Sequence, residues 1–418
     1  MYFSEWFKLF TIKENHVEVF REVILVLAKE LMMRIKRLQN TMEKHSLDSY
    51  LITAEEDIWY FTNITFKPEE RPFFIIISLD RKPVLLVPKL EEAHVYKGLL
   101  DCEIVAYWDY PSPNGSNWFD ILQRLLKNYH HTGIEMNVKA EIYLNIDTKN
   151  LWAGHLVAEQ RQVKSIYELE KIRFSAKQSD MAIEKILETS YKGAGVVESF
   201  SISNGVQKQL IRSQQFDPIT TSLTSIVWPA PLSSMPHSIP SITDKLGEGP
   251  QVSMAYFRIN GYASECERTF FLAQPSKDEQ ELFHHMVQAR EQSLKIVKPG
   301  VRASDIDSEA RKYFDRYGLK KNMLHRTGHG IGLSNHEGPF IAEGSAEILR
   351  ENMIITIEPG IYIEGKGGYR HSDTILITND GYELLTHAPI DLNSLVIKKN
   401  NIQSKLKGKI IRKALNLN

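Results

Sequence analysis

The 418-residue sequence contains little cysteine, no excess of charge of either sign and no long uninterrupted apolar run. Its two cysteines, Cys102 and Cys266, lack the close spacing of a redox or zinc motif, so we expect a reducing, cytoplasmic setting. Charged residues interrupt the apolar stretches of the first 38 residues, so we expect neither a signal peptide nor a transmembrane segment. The formal net charge of -1 offers no overall attraction for nucleic acid and favours a small-molecule or short-peptide partner.

The pattern of apolar residues predicts two folded domains between an extension and a tail. Residues 1–33 form an N-terminal extension that could be helical. Residues 34–164 alternate helical segments with short apolar runs typical of buried strands, which predicts an α/β domain. Residues 165–397 combine helices, the first opened by a capping box at Ser165 and Glu168, with pairs of alternating strands. The overall fold class is therefore expected to be α+β.

Ionisable side chains are concentrated on the predicted strands of the second domain. Alternation with a period of two places Glu265 and Glu267 on the same face of one strand. His329 lies between two glycines, and Glu358 follows an apolar run that would bury it. Each of these residues alone would commonly be structural. Several buried ionisable groups from different strands nevertheless indicate a functional site.

Five short motifs, in this order along the chain, resemble those of the pita-bread hydrolases, which include aminopeptidase P, prolidase, methionine aminopeptidase and creatinase. The motifs are Pro236-His237, Gly261-Tyr262 with Arg268-Thr269, Thr327-Gly328-His329-Gly330-Ile331-Gly332 with His336-Glu337, Ile357-Glu358-Pro359-Gly360, and Gly368-Tyr369-Arg370 with Asp373-Thr374. The resemblance covers about residues 34–397. It implies a creatinase-type N-terminal domain followed by a pita-bread catalytic domain, and a homodimer.

The resemblance also implies where metal ligands would lie. In the peptidases of this family five side chains hold two metal ions, and the matching positions here are Met254, Glu265, His329, Glu358 and Ser372. A thioether and a neutral hydroxyl are poor ligands for a pair of hard divalent ions. We therefore expect no metal cofactor. The alternative is manganese or zinc at a degenerate site formed by Glu265, His329 and Glu358.

The remaining polar residues resemble creatinase, the metal-independent member of the family. In that pattern the catalytic residues are His237, Glu267 and Glu358, with both carboxylates orienting the His237 ring. Imidazole titrates near neutral pH and suits transfer of a proton between a water nucleophile and a leaving nitrogen. The residues assigned to substrate binding by the same resemblance are His329, His336, Arg370 and Arg71.

Three functions follow as alternatives. The first is metal-independent hydrolysis of a C–N bond in a small substrate that carries a carboxylate. The second is an Xaa-Pro aminopeptidase or dipeptidase with a rebuilt metal site, and the third is a peptide-binding protein without catalytic activity. The intact His237 and the paired glutamates favour an enzyme, whereas Met254 and Ser372 favour a metal-free one.

Residues 398–418 form a basic tail with seven lysines and arginines and no acidic residue. A solvated, frayed terminus is the favoured interpretation, because Gly408 and several asparagines weaken helix formation. That interpretation predicts that deletion of residues 400–418 leaves fold and catalysis intact. The alternative is a basic amphipathic helix that binds an acidic membrane or an acidic partner.

Overall fold

The structure of the protein is a computed structural model. The chain forms two compact units, the first ending at Gln160 and the second beginning at Arg161. The residues that it describes are 14–67, 69–95, 98–146, 151–398 and 402–417. Residues 14–33 of the predicted N-terminal extension belong to one long helix, Glu14–Lys44. Residues 1–13 lie outside the described residues. No helix in the described ranges is long and apolar enough to cross a membrane.

The first unit is an α/β domain built on a mixed sheet, as predicted. The strands are β1 (Ser49–Ile52), β2 (Phe74–Ser78), β3 (Val84–Pro88), β4 (Glu103–Tyr107), β5 (Thr132–Glu135) and β6 (Leu151–Gly154). The helices are α1 (Glu14–Lys44), α2 (Glu55–Thr62), α3 (Glu92–Val95), α4 (Trp118–Leu126), α5 (Ala140–Leu144) and, across the boundary, α6 (Leu156–Gln162). In the described residues the strand order is β4-β3-β2-β1-β5-β6. The central strands β1, β2 and β3 are buried on both faces, which explains their continuous apolar sequences.

The second unit packs long helices on an antiparallel sheet. The helices are α7 (Ile166–Thr189), α8 (Val196–Arg212), α9 (Lys277–Leu294), α10 (Ala303–Arg316) and α11 (Ile402–Ala414). The strands are β7 (Ser222–Trp228), β8 (Gln251–Ile259), β9 (Tyr262–Phe270), β10 (Gly328–Gly330), β11 (Glu337–Ile341), β12 (Ile354–Thr356), β13 (Gly360–Ile363), β14 (Gly367–Arg370), β15 (Ser372–Ile377) and β16 (Tyr382–Leu384). The sheet order is β11-β10-β12-β15-β9-β8-β7, β16 pairs with β15, and β13 pairs with β14. The predicted capping box opens α7, with Ser165 and Glu168 bonding each other's backbone amides.

The two faces of β9 have different surroundings. Cys266 belongs to the apolar core, together with Ile183 of α7 and Phe257 of β8. The neighbouring residues Glu265 and Glu267 point to the opposite face, as the alternation predicted, and both are buried. The strand thus joins a helix-covered core on one side to a group of buried ionisable side chains on the other.

The basic tail is not a frayed terminus, and that expectation was wrong. Helix α11 packs on the second unit with Ser404 and Gly408 buried. Arg412 pairs with Glu198 of α8 and donates to the Tyr191 hydroxyl at 3.2 Å. A Cβ atom on Gly408 would lie 2.0 Å from the Glu198 carboxylate and 2.5 Å from the Tyr191 hydroxyl oxygen. The glycine that disfavours an isolated helix is therefore what allows this helix to approach so closely.

Replacement of Gly408 by valine is expected to displace α11 and to lower the melting temperature of the second unit by about 2–6 °C. The added side chain overlaps Glu198 and Tyr191, and overpacking of this kind costs about 1–3 kcal/mol. Gln403→Val is the matched control, since it places the same side chain at an exposed position of the same helix. Equal melting temperatures for both variants, measured by calorimetry, would contradict the docked position.

A buried carboxyl group in the first unit links β5 to the start of α2. Glu135 accepts hydrogen bonds from the backbone amides of Thr53 and Ala54, at 2.8 and 3.0 Å, and from the Thr53 hydroxyl at 3.0 Å. Burial and the neighbouring Asp57 carboxylate raise the pKa of Glu135 to about 8. Glu135 therefore retains a proton in the folded protein at pH values where the unfolded chain has lost it.

Loss of this proton should make the first unit less stable as the pH rises. The pKa of Glu135 is higher in the folded than in the unfolded chain, so its contribution is fully present below about pH 4.5 and is lost as the pH rises towards about 8. Glu135→Gln mimics the protonated group, and we expect its melting temperature to fall less than that of the wild type between pH 5 and about 8. Parallel pH profiles of the two proteins in thermal unfolding would refute this assignment.

Candidate active site

Three ionisable side chains converge on the face of the sheet away from the apolar core. Glu265 lies on β9, His329 on β10, and Glu358 just after β12. Ligand atoms of all three lie within 4.8 Å of one another. His329 and Glu265 are buried, and Glu358 is 12% exposed. This group, the Glu-His-Glu cluster, matches the alternative metal site predicted from the sequence.

The His329 ring has the orientation of a metal ligand. Its Nδ1 atom lies 3.0 Å from the Gly330 carbonyl oxygen, to which it can donate a proton. The Nε2 atom is buried and lies 3.1 Å from Glu358 Oε1 without the alignment of a hydrogen bond. A histidine that donates from one nitrogen to a backbone carbonyl commonly presents the other nitrogen to a metal.

The charges of the cluster also favour a metal ion at this position. Burial opposes ionisation of both groups, but the Glu358 and Glu265 carboxylates raise the pKa of His329, and His329 lowers that of Glu358 to about 2. Burial and the nearby Glu358 raise the pKa of Glu265. Two carboxylates and one imidazole leave room for a fourth ligand and can offset the charge of one divalent cation. The cluster therefore fits a single manganese or zinc ion.

The residues present do not fit a second ion. Glu267 on β9 lies in register with Met254 on β8 and with Ser372 on β15, the two positions that lack a carboxylate. The Ser372 hydroxyl donates to Glu265 Oε1 at 2.5 Å. The thioether and the hydroxyl cannot replace two anionic ligands.

Arg370 occupies both oxygens of Glu267. Its Nε and Nη2 atoms donate to the carboxylate, the latter at 2.7 Å, and Nη1 donates to the Tyr362 hydroxyl at 3.0 Å. That hydroxyl lies 2.8 Å from His325 Nε2, while His325 Nδ1 lies 2.7 Å from the Arg326 carbonyl oxygen. Glu267, Arg370, Tyr362 and His325 thus form one continuous buried network. Glu267 thus occupies the guanidinium fork, and the assignment of Arg370 to substrate binding stays a prediction.

The other predicted histidines lie in different environments. The ring of His336 contacts that of His329, with centroids 4.1 Å apart. Although His336 keeps an exposed surface, partial desolvation of its ring and the charge of His329 lower its pKa to about 4, so this side chain is neutral at pH 7. His237 is exposed and makes no hydrogen bond to Glu267 or Glu358 in the described part of the chain. Each of these carboxylates already has another cation or ring beside it, so the orientation of His237 by them stays a prediction. The charge of His237 contributes to the lowered pKa of His325 and of His336, which places this ring near the site.

Sequence reasoning missed Tyr362 and assigned no role to His325 or Glu337, which also lie near the site. Tyr362 and His325 complete the Arg370 network, and only the position of His325 four residues before His329 hinted at a role. Glu337, next to His336, is buried and pairs with Arg161 and Lys164 at 2.8 Å each. It anchors the segment that carries His336. No local pattern identifies the partners of Glu337, which are more than 170 residues away.

Arg71 belongs to the first unit. It pairs there with Glu70 at 2.7 Å and with Asp109 at 2.8 Å. Neither contact involves a residue of the Glu-His-Glu cluster. Its assignment to substrate binding stays a prediction.

Comparison with known proteins agrees with this architecture. Residues 170–379 match metallopeptidase family M24, and residues 34–172 match the creatinase/prolidase N-terminal domain. An uncharacterized peptidase of Staphylococcus aureus strain USA300 is 31% identical over 363 residues, which are 85% of this chain and 99% of that protein. The prolidase of Pyrococcus horikoshii OT3 is 26% identical with a TM-score of 0.72, covering 86% of this chain and 99% of its own. An Xaa-Pro dipeptidase from Bacillus anthracis has the same identity and TM-score, with 87% and 99% covered.

The chain belongs to metallopeptidase family M24 and carries a creatinase/prolidase N-terminal domain. It is a hydrolase that acts on C–N bonds, which confirms the predicted enzyme class and pita-bread fold. The expectation that it needs no metal finds no support in this family, whose peptidases generally use manganese or zinc. The Glu-His-Glu cluster supplies ligands for one such ion.

Proposed function

We propose that the protein hydrolyses the peptide bond that precedes proline in short Xaa-Pro peptides, with one divalent ion held by Glu265, His329 and Glu358. The observation that carries this proposal is the buried Nε2 atom of His329, which faces two carboxylates and has no hydrogen-bond partner in the described residues. The prolidase of Pyrococcus horikoshii and the Xaa-Pro dipeptidase of Bacillus anthracis support the substrate class. The short-peptide substrate, cytoplasmic location and homodimer expected from the sequence belong to the same proposal.

The side chains divide the chemistry between them. A bound divalent ion polarises a substrate carbonyl and lowers the pKa of a bound water. Glu358, ionised beside His329, would accept the proton of the attacking water. His336, kept neutral by partial desolvation and by the charge of His329, would donate a hydrogen bond to the substrate carbonyl oxygen. The Glu267–Arg370 pair would stay fixed and hold the adjoining wall of the site.

Metal analysis of the purified protein, combined with hydrolysis assays on Xaa-Pro dipeptides, tests this proposal. We expect about one equivalent of manganese or zinc per chain, loss of turnover after chelation and recovery when the metal is restored. A matched dipeptide without proline should be a poor substrate. Two tightly bound equivalents, or turnover that survives complete removal of metal, would contradict the proposal.

A second candidate is metal-free hydrolysis of a C–N bond in a small substrate with a carboxylate, with His237 as the general acid/base. The neutral residues Met254 and Ser372 on either side of Glu267 favour it. This candidate predicts that His237→Ala lowers turnover by about 10²–10⁴ in metal-free protein. An unchanged rate would remove His237 from the mechanism.

A further inference from the structure

Helix α11 exposes its apolar residues and packs on the protein through its small and polar ones. Ile402, Leu406 and Ile410 are 70%, 57% and 66% exposed, and we call these three residues the apolar stripe. Successive residues of a helix are about 100° apart, so Leu406 lies about 200° from the buried Gly408. The stripe therefore faces away from the body while the helix stays docked. This is the reverse of the usual arrangement, in which a surface helix buries its apolar stripe.

The docking contacts hold the helix in this rotation. Gly408 lies against the carboxylate of Glu198, and Arg412 pairs with that carboxylate one turn later. The Lys405 ammonium group lies 5.8 Å from the centre of the Tyr191 ring. Turning the stripe inward would separate Arg412 from Glu198 and press a larger side chain into the space beside Gly408. The outward stripe is therefore a stable feature of the folded protein.

Positive charge surrounds the stripe. The tail holds seven of the 51 basic residues of the chain and none of the 52 acidic ones, so residues 1–397 carry a formal net charge of -8. At about 100° per residue, Lys405 and Lys409 lie on one side of the stripe and Lys407 on the other. Lysines beside an exposed aliphatic stripe are complementary to anionic headgroups over an acyl layer. The negative body does not prevent such contact, because charges more than about 10 Å away are screened in physiological salt.

We propose that α11 binds the surface of an anionic membrane, with Ile402, Leu406 and Ile410 inserted at the headgroup boundary and Lys407 and Lys409 on the headgroups. Pairing of two copies through the stripe is less favourable, because it would bring the lysines of both helices together. The helix is 13 residues long, so it would lie on the bilayer rather than cross it.

Sedimentation of the full-length protein with lipid vesicles tests this proposal. With vesicles of phosphatidylcholine and 30% phosphatidylglycerol we expect at least tenfold stronger partitioning than with phosphatidylcholine alone, weakening as salt is raised. Leu406→Ser with Ile410→Ser should reduce partitioning at least fivefold. The matched control is Ile166→Ser with Ile211→Ser, which removes two exposed isoleucines elsewhere on the same unit and should bind as the wild type does.

Three outcomes would overturn the proposal. The wild type could fail to bind the anionic vesicles, or the stripe variant could bind them as well as the wild type does. The stripe variant could also convert a dimer to a monomer in light scattering while vesicle binding is absent, which would assign the stripe to a second copy of the chain. Circular dichroism and melting temperature of each variant establish that it is folded.

Discussion

Replacement of His329 by alanine is expected to remove the bound ion and, with it, nearly all turnover on Xaa-Pro peptides. The imidazole is the only neutral ligand of the Glu-His-Glu cluster, and without it two carboxylates remain, one within β9 and one just after β12. Loss of a residue that merely supports a ligand costs about 10–100-fold in metal affinity, so loss of the ligand should cost more than about 100-fold. Metal content after dialysis and kcat/KM measured together check this prediction.

His336→Ala is the matched control for that experiment. His336 lies against the His329 ring but is not part of the cluster, so the variant should keep about one equivalent of metal and lose turnover only. If His329→Ala retained its ion while His336→Ala lost it, the two roles would have to be exchanged.

The second large effect concerns stability. Arg370→Met is expected to lower the free energy of unfolding of the second unit by about 3–5 kcal/mol, because it leaves the Glu267 carboxylate buried and without its cation. Glu267→Met should have a similar effect for the opposite charge. Denaturant titrations that follow the second unit give the comparison.

The double variant Glu267→Met with Arg370→Met distinguishes a buried ion pair from general damage to the core. Apolar replacement of both partners leaves no isolated charge, and we expect it to cost much less than either single change. Additive losses in the double variant would show that the two side chains do not act as a pair.

The structure explains how a chain of this family accommodates Met254 and Ser372. Both positions lie beside Glu267 in the sheet, and Glu267 is the carboxylate that Arg370 binds. A buried pair of opposite charges, Arg370 with Glu267, therefore lies next to the Glu-His-Glu cluster. This arrangement keeps the site polar without requiring two further anionic ligands.

Much of the architecture could be predicted from the sequence, because it depends on local pattern and on short motifs. The continuous apolar runs of β1 to β3 and the capping box at Ser165 are local signals, and both are present in the structure. The common face of Glu265 and Glu267 follows from strand alternation alone. The Glu-His-Glu cluster was likewise recognised as an alternative, because each ligand lies within its own family motif.

Only the tertiary structure decided which partner each of these side chains has. Arg370 is 103 residues from Glu267, and the two meet because β14 and β9 are brought together by the fold. Gly408 disfavours a helix by its own propensity, yet it permits α11 to pack against Glu198, 210 residues earlier in the chain. The propensity and alternation of a segment are properties of neighbouring residues, whereas an ion pair or a close backbone approach depends on the register of elements distant in sequence. For that reason the positions of the site residues were visible in the sequence, and the assignment of Glu267 to Arg370 rather than His237 was not.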